Sequence, residues 1–219
     1  MKTLLFGLFL TAVLFAFKAD NPKKIIFFGD SITQAGVNPG GYITMLKEMF
    51  TKAGNTSELI GAGIGGNKVY DLFLRMEDDV LSKKPDVVVI YVGVNDVWHK
   101  ASYGTGTDAD KFTKFYVALI KKMQAQGIKL ILTTPAAIGE KTDHSNQQDG
   151  DLNQYSKIIR DLAEEHKCGL VDLRKEFLAY NLANNPENKG QGILTTDRVH
   201  LNEAGNKMVA ELMFRELMK

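Results

Sequence analysis

A serine hydroxyl is a weak nucleophile until a neighbouring base takes its proton. Ser31 lies in KIIFFGDSITQAG (Lys24–Gly36), where a short apolar run stops at Gly29-Asp30. The run reads as a buried strand, and a helix-compatible stretch follows it. A serine just past such a strand sits where open α/β sheets build their ligand sites, outside the strands' carboxyl ends. Gly29 allows a sharp turn and leaves room beside the serine. The candidate base is His200, in Asp197-Arg198-Val199-His200. A carboxylate three residues ahead of a histidine can reach back to its Nδ1–H in a tight turn. It then fixes the tautomer and stabilises the imidazolium formed when Nε2 takes the serine proton. Alone, Asp-x-x-His also describes a capping aspartate and a surface histidine. Paired with a strand-end Gly-Asp-Ser, it points to nucleophilic catalysis, and its rate should fall as acid protonates the base.

An acyl transfer also needs donors for an oxyanion. Asn95, in Gly93-Val94-Asn95-Asp96, follows an apolar strand and can aim its amide at that charge; its plainer role is to form a turn. The glycines of Gly63-Ile64-Gly65-Gly66-Asn67 can present a backbone N–H with no side chain in the way. The Ser31 N–H is a third donor. Gly61, Gly63 and Gly66 also match Gly-x-Gly-x-x-Gly, so dinucleotide binding competes. Against it, the motif follows the second strand rather than the first, and the acid about twenty positions on, Asp86, starts a strand instead of ending one. The other histidines compete poorly as bases. His166 ends a helix, His99 closely follows the third strand, and His144 shares a polar loop with Asp143, Asp149 and Asp151 in no familiar metal-ligand spacing.

The elements that must hold these residues alternate strand and helix. Strands are expected at Ile25–Phe28, Glu58–Gly61, Asp86–Val92, Lys129–Thr133 and Gly169–Leu173. Helices are expected at Gly41–Ala53, Lys68–Ser82, Asp108–Gln126, Leu152–His166 and Glu203–Leu217. That pattern predicts a parallel sheet covered on both faces, in the doubly wound order 2-1-3-4-5. The long loops Ala136–Gly150 and Asn184–Asp197 become the natural walls of a cleft.

The chain has 219 residues, a net charge of +1 and one cysteine. Its charges are mixed rather than blocked, which offers no basic face for nucleic acid. Cys168 precludes an internal disulfide and reads as a small core residue. Lys2 precedes an almost wholly apolar Thr3–Phe17, and polar residues follow: a secretory signal peptide, expected to leave after Ala16 or Ala19. An uncleaved N-terminal anchor is the alternative. No cysteine stands near the cleavage region for a lipid anchor, and no second apolar run is long enough to span a bilayer. The expectation is residues 1–19 as signal, residues 20–219 as one domain, and an exported (periplasmic or extracellular) product.

Four segments in order resemble the sequence blocks of the SGNH (GDSL-type) hydrolases: Gly-Asp-Ser-Ile-Thr, Gly-Ile-Gly-Gly-Asn, Gly-Val-Asn-Asp and Asp-Arg-Val-His-Leu-Asn. The likeness spans Ile25–Leu217. It implies a flavodoxin-like three-layer α/β/α sandwich and ester hydrolysis without metal or organic cofactor. It implies Ser31 as nucleophile, His200 as base, Asp197 as its partner, and Ser31, Gly66 and Asn95 as the oxyanion hole. Asp30 would then support the loop. One departure is Asn67, where many members carry Asp, which alters a supporting hydrogen bond without removing a donor.

The resemblance allows short acyl esters, acetylated sugars, lysophospholipids and thioesters. The polar stretch Gly139–Asp151 favours a small acyl group, such as acetyl, on a polar alcohol such as a sugar. Trp98, His99 and Tyr103 could wall the cleft and stack a sugar ring, or simply pack a loop. The alternative enzyme is a lysophospholipase or acyl-thioesterase. A non-catalytic glycan-binding module is the other class of reading. It would keep binding after Ser31→Ala and resist a fluorophosphonate label. The expected partner is a small-molecule or glycan ester.

Overall fold

The apolar runs that stop at Gly29 and at Gly93 form the two strands at the heart of the sheet. In the computed structural model, which describes residues 22–219, these are β1 (Lys24–Gly29) and β3 (Val87–Tyr91). Every residue of β3 is buried, because helices cover both faces and leave no side for polar residues. The remaining elements are α1 (Ser31–Gly36), α2 (Tyr42–Lys52), β2 (Glu58–Gly63), α3 (Val69–Asp79), α4 (Val94–Tyr103), α5 (Ala109–Gln124), β4 (Lys129–Thr133), α6 (Asp149–Glu165), β5 (Gly169–Val171), α7 (Leu173–Asn184) and α8 (Glu203–Leu217). The five strands are parallel in the order β2-β1-β3-β4-β5, the expected doubly wound arrangement. The order reverses after β2; α2 and α8 are in contact with each other, while α3, α5 and α6 pack in sequence. Phe50 of α2 meets Phe214 of α8 edge-on at 5.6 Å. The expected signal peptide, residues 1–19, lies outside the described residues. Among the described residues no helix is long and apolar enough to cross a membrane.

Register brings the functional segments to one edge. Gly29 pairs with Gly63 on one side and Tyr91 on the other, so β1, β2 and β3 end level. Ser31, Gly66 and Asn95 lie two to four residues beyond those three ends. Gly29 is needed here for space: a Cβ would lie 2.4 Å from both the Tyr91 carbonyl oxygen and Thr33 Oγ1. Its role is therefore close approach between strand and helix, not an unusual backbone angle.

Two helices escape the sequence pattern. The stretch after β3 is not a loop but α4, whose buried residues are Val94, Asn95, Asp96 and Val97. Two of those four are polar, so no apolar period announces the helix. The strand expected over Gly169–Leu173 stops at Val171, and Leu173 instead opens α7. That helix buries Leu173, Arg174, Phe177 and Asn181 while Leu178, Tyr180 and Leu182 are exposed, so apolar residues fall on both faces.

Candidate active site

The turn from β1 into α1 presents Ser31 at the first helical position. Its Oγ lies 2.9 Å from His200 Nε2. On the far side of the ring, Nδ1 lies 2.7 Å from Asp197 Oδ2. The other Asp197 oxygen accepts the backbone N–H groups of Val199 at 3.2 Å and His200 at 2.8 Å. One carboxylate therefore closes the turn and orients the imidazole. A carboxylate at Nδ1 selects the tautomer with hydrogen on that nitrogen, which leaves Nε2 to accept from the serine. Burial pushes the Asp197 carboxyl up, but the hydrogen bonds from the His200 ring and from the His200 and Val199 amides outweigh it and hold it below its ordinary value. Asp197 thus stays ionised, as a partner for an imidazolium must. Its side chain is half exposed, so water screens the pair.

Three N–H groups stand on the segments that follow the level ends of β1, β2 and β3, the same edge that carries the hydroxyl. Ser31 N–H opens α1 and has no partner among the described residues, and neither has Gly66 N–H. The adjacent Gly65 N–H is already taken by Gln34 Oε1 at 2.9 Å. Gly66 sits at φ +77°, a left-handed backbone that side-chain-bearing residues rarely adopt. Asn95 is buried, and its Nδ2 donates to the Asn67 carbonyl at 3.1 Å. That bond uses one amide hydrogen and leaves the second without a protein partner among the described residues. A hydroxyl, an imidazole and a carboxylate thus stand in line, with N–H groups on adjoining strand ends, and attack on a carbonyl requires groups of these kinds.

Buried carboxyls and one guanidinium brace this constellation, Asp30 in the expected place and Asp96 and Arg75 beyond what the motifs marked. Asp30 caps α1 by accepting the Ile32 N–H at 3.0 Å. Burial pushes its carboxyl up to about 7, and its second oxygen has no partner. Asp96 accepts the Val69 N–H with both oxygens, at 3.2 and 3.3 Å, joining α4 to the start of α3; burial raises it to about 7 also. Arg75, absent from the sequence reading, donates to Asn67 Oδ1 at 2.7 Å, to the Gly29 carbonyl at 2.7 Å and to the Ala62 carbonyl at 3.0 Å. It ties the ends of β1 and β2 to the Gly66 turn. Asn67 keeps an acceptor for that guanidinium, while Asp79 at 2.5 Å supplies the negative charge. No sequence signal singles out Arg75, because its partners lie on three separate segments.

Trp98, His99 and Tyr103 belong to α4. Their rings form a row: Trp98 to His99 at 5.7 Å, His99 to Tyr103 at 5.1 Å, with Trp98 6.4 Å from the His200 ring. Tyr103 is 70% exposed, so the row runs from the base out to solvent. A Cβ built on Gly66 would lie 3.7 Å from His99 Cε1, which places that ring beside the Gly66 turn. Burial and the nearby Lys68 charge push the His99 imidazole below its ordinary value, so it is uncharged at neutral pH.

The remaining candidates lie elsewhere. His144 is exposed, and the neighbouring Asp149 is engaged by Arg174 at 2.7 Å and Asn146 at 3.0 Å. Among the described residues no three His, Cys, Asp or Glu side chains gather as metal ligands would. Cys168 is half-buried at the core's margin rather than within it, and burial pushes its thiol up to about 11.

The model of the GDSL-like lipase/acylhydrolase family matches residues 27–208. An acetylxylan esterase of Geobacillus stearothermophilus is 29% identical over 222 residues, spanning 91% of this chain and 96% of its own. Among solved structures, the acetyl xylan esterase AlAXEase is 71% identical with a TM-score of 0.86, over 88% of this chain and 98% of that one. The Geobacillus enzyme superposes with a TM-score of 0.79 at 27% identity, over 89% of this chain and 94% of that one. Its solved catalytic mutants alter one serine, one aspartate and one histidine, the last two three positions apart. The chain therefore belongs to the GDSL-like lipase/acylhydrolase family and is a serine carboxylic ester hydrolase.

Proposed function

We propose that this protein removes acetyl groups from xylose-based saccharides through a Ser31–His200–Asp197 relay. The observation that carries the reading is the unbroken line from Asp197 Oδ2 through the His200 ring to Ser31 Oγ, at 2.7 and 2.9 Å. The 71% identity to an acetyl xylan esterase supports the choice of substrate. Catalytic mutants of the Geobacillus relative share the three-residue spacing of Asp197 and His200.

Ser31 Oγ attacks the acetyl carbonyl as its proton passes to His200 Nε2. The carbonyl oxygen becomes an alkoxide, held by the N–H groups of Ser31 and Gly66 and the Asn95 amide. The sugar oxygen leaves with the proton from His200, and acetyl-Ser31 remains. Water then attacks and gives one proton to His200, the serine oxygen recovers that proton as it leaves, and acetic acid departs and ionises to acetate in solvent. Asp30 supports the turn that carries Ser31. The ring row of Trp98, His99 and Tyr103 offers apolar faces on which a pyranose can stack. Residues 1–19 direct export and are removed, leaving residues 20–219 as the acting domain.

The test compares acetylated xylo-oligosaccharides with nitrophenyl acetate and nitrophenyl octanoate, alongside fluorophosphonate labelling. Acetyl turnover with the label on Ser31 is expected. Preference for octanoate would replace the acetyl reading with a lysophospholipase or thioesterase. A label that survives Ser31→Ala would remove the nucleophile.

A further inference from the structure

The loop 136–150 reads in sequence as a polar wall of the cleft, but its first five residues, Ala136 to Glu140, are buried. Glu140 is 1% exposed, deeper than most carboxylates without a cationic partner. Its compensation comes from the backbone. Oε1 accepts the N–H groups of Leu194 at 2.6 Å and Thr195 at 2.7 Å, and Oε2 accepts that of Ile193 at 2.8 Å. Three successive amides thus point at one anion, and such charge-assisted bonds are stronger than neutral ones.

Those amides form the root of the loop that carries the relay. Thr195 bridges Leu201 in antiparallel fashion, and the Thr196 N–H donates to the His200 carbonyl at 2.8 Å. Asn202 N–H donates to the Leu194 carbonyl at 3.0 Å. Asp197, Arg198 and Val199 make up the tip between these two short arms. The segment before Glu140 grips the tip as well: Gly139 N–H donates to the Arg198 carbonyl at 2.8 Å. Arg198 itself sits at φ +82°, an unfavourable angle for a residue with a side chain. A strained tip keeps its shape only while its surroundings over-determine it.

We propose that Glu140 is a positioning residue for the hydrolysis: its buried carboxylate clamps the backbone at Ile193, Leu194 and Thr195 and so holds His200 in reach of Ser31. The proposal rests on the reading of His200 as the base. It assigns the loop 136–150 a role in aligning the reaction rather than in contacting the substrate. The Glu140 carboxylate hydrogen-bonds neither Ser31 nor His200, and it acts through the backbone of Ile193 to Thr195.

The experiment measures kcat and KM for nitrophenyl acetate in Glu140→Gln and Glu140→Ala, counted per folded protein by near-ultraviolet circular dichroism. His200→Ala serves as a control. Misplacing a reacting group by about 1 Å can cost on the order of 10²-fold. Glu140→Gln keeps the side-chain volume and one acceptor oxygen but turns an NH₂ toward an amide donor. It is expected to lose kcat by about tenfold with KM nearly unchanged, and Glu140→Ala to lose more. If the alanine variant does not fold, the glutamine variant decides the question. A glutamine variant with wild-type kcat per folded molecule and only a lowered melting temperature would overturn the proposal, since that is what a purely structural glutamate would show. Full activity in His200→Ala would instead overturn the assignment of the base, whatever the Glu140 variants do.

Discussion

Replacing Asn95 by alanine removes one of the three proposed oxyanion donors and tests the mechanism at its most quantitative point. The Asn95 side chain is buried, with one amide hydrogen on the Asn67 carbonyl at 3.1 Å and the other assigned to the oxyanion by the proposed mechanism. Loss of a single oxyanion donor typically lowers kcat by about 10²–10³, or roughly 2.7–4 kcal/mol of transition-state stabilisation. The same substitution breaks the bond to Asn67, a neutral hydrogen bond with a net value of about 1 kcal/mol. In a domain of this size that shifts the melting temperature by only about 2–4 °C, too little to unfold the protein at assay temperature. The two effects therefore separate: catalysis should collapse while the fold persists. Steady-state hydrolysis of nitrophenyl acetate, normalised to folded protein, should show kcat down by at least about 100-fold with KM changed less than about threefold. Asn95→Asp keeps the volume but offers no donor and adds a second carboxyl beside Asp96, so it should be no better. If Asn95→Ala keeps more than about a tenth of wild-type kcat, the Ser31 and Gly66 amides hold the oxyanion without it and the threefold oxyanion hole is wrong.

The buried carboxyls predict a dependence of stability on pH. Burial raises Asp30 and Asp96 to about 7, whereas an unfolded aspartate titrates near 3.9. Between those values the native state binds more protons than the unfolded one, so stability should fall as pH rises from about 4 to about 7 and then level off. Asp197 acts in the opposite sense, but only below the ordinary carboxylate range, where its depressed value lies. Thermal melts at about pH 5.5 and pH 8 should show the higher midpoint at the lower pH, and Asp96→Asn should flatten the difference. A midpoint that rises with pH across that interval would show that the two carboxyls are ionised in the fold. Tyr103→Ala should raise KM for acetylated xylo-oligosaccharides by several-fold, consistent with about 1 kcal/mol of ring contact, and leave nitrophenyl acetate untouched. Equal effects on both substrates would remove the outer ring from sugar binding.

The readable parts of this chain are those whose signals are local. Apolar runs bounded by glycine, proline or polar residues marked all five strands, and their alternation with helices called for the doubly wound order that is observed. The hidden parts are those where chemistry displaced periodicity. Helix α4 buries Asn95 and Asp96 in place of apolar residues, so it read as a loop, and Trp98, His99 and Tyr103 with it. Helix α7 shows apolar residues on two faces and read partly as strand. Arg75 and Glu140 carry no motif at all, since each works through backbone groups far along the chain: Gly29 is 46 residues from Arg75, and Thr195 is 55 from Glu140.

By itself the sequence determined the order of the five strands and the chemical types available at each strand end, because strand-ending glycines, turn residues and Asp-x-x-His act over a few positions. Only the tertiary structure decided that Ser31 and His200 meet, across 169 residues, and at what distance. That contact depends on how the parallel strands register and on how Arg75 and the Glu140 clamp bind separate segments together. Such packing and hydrogen bonding exist only once the chain has closed on itself.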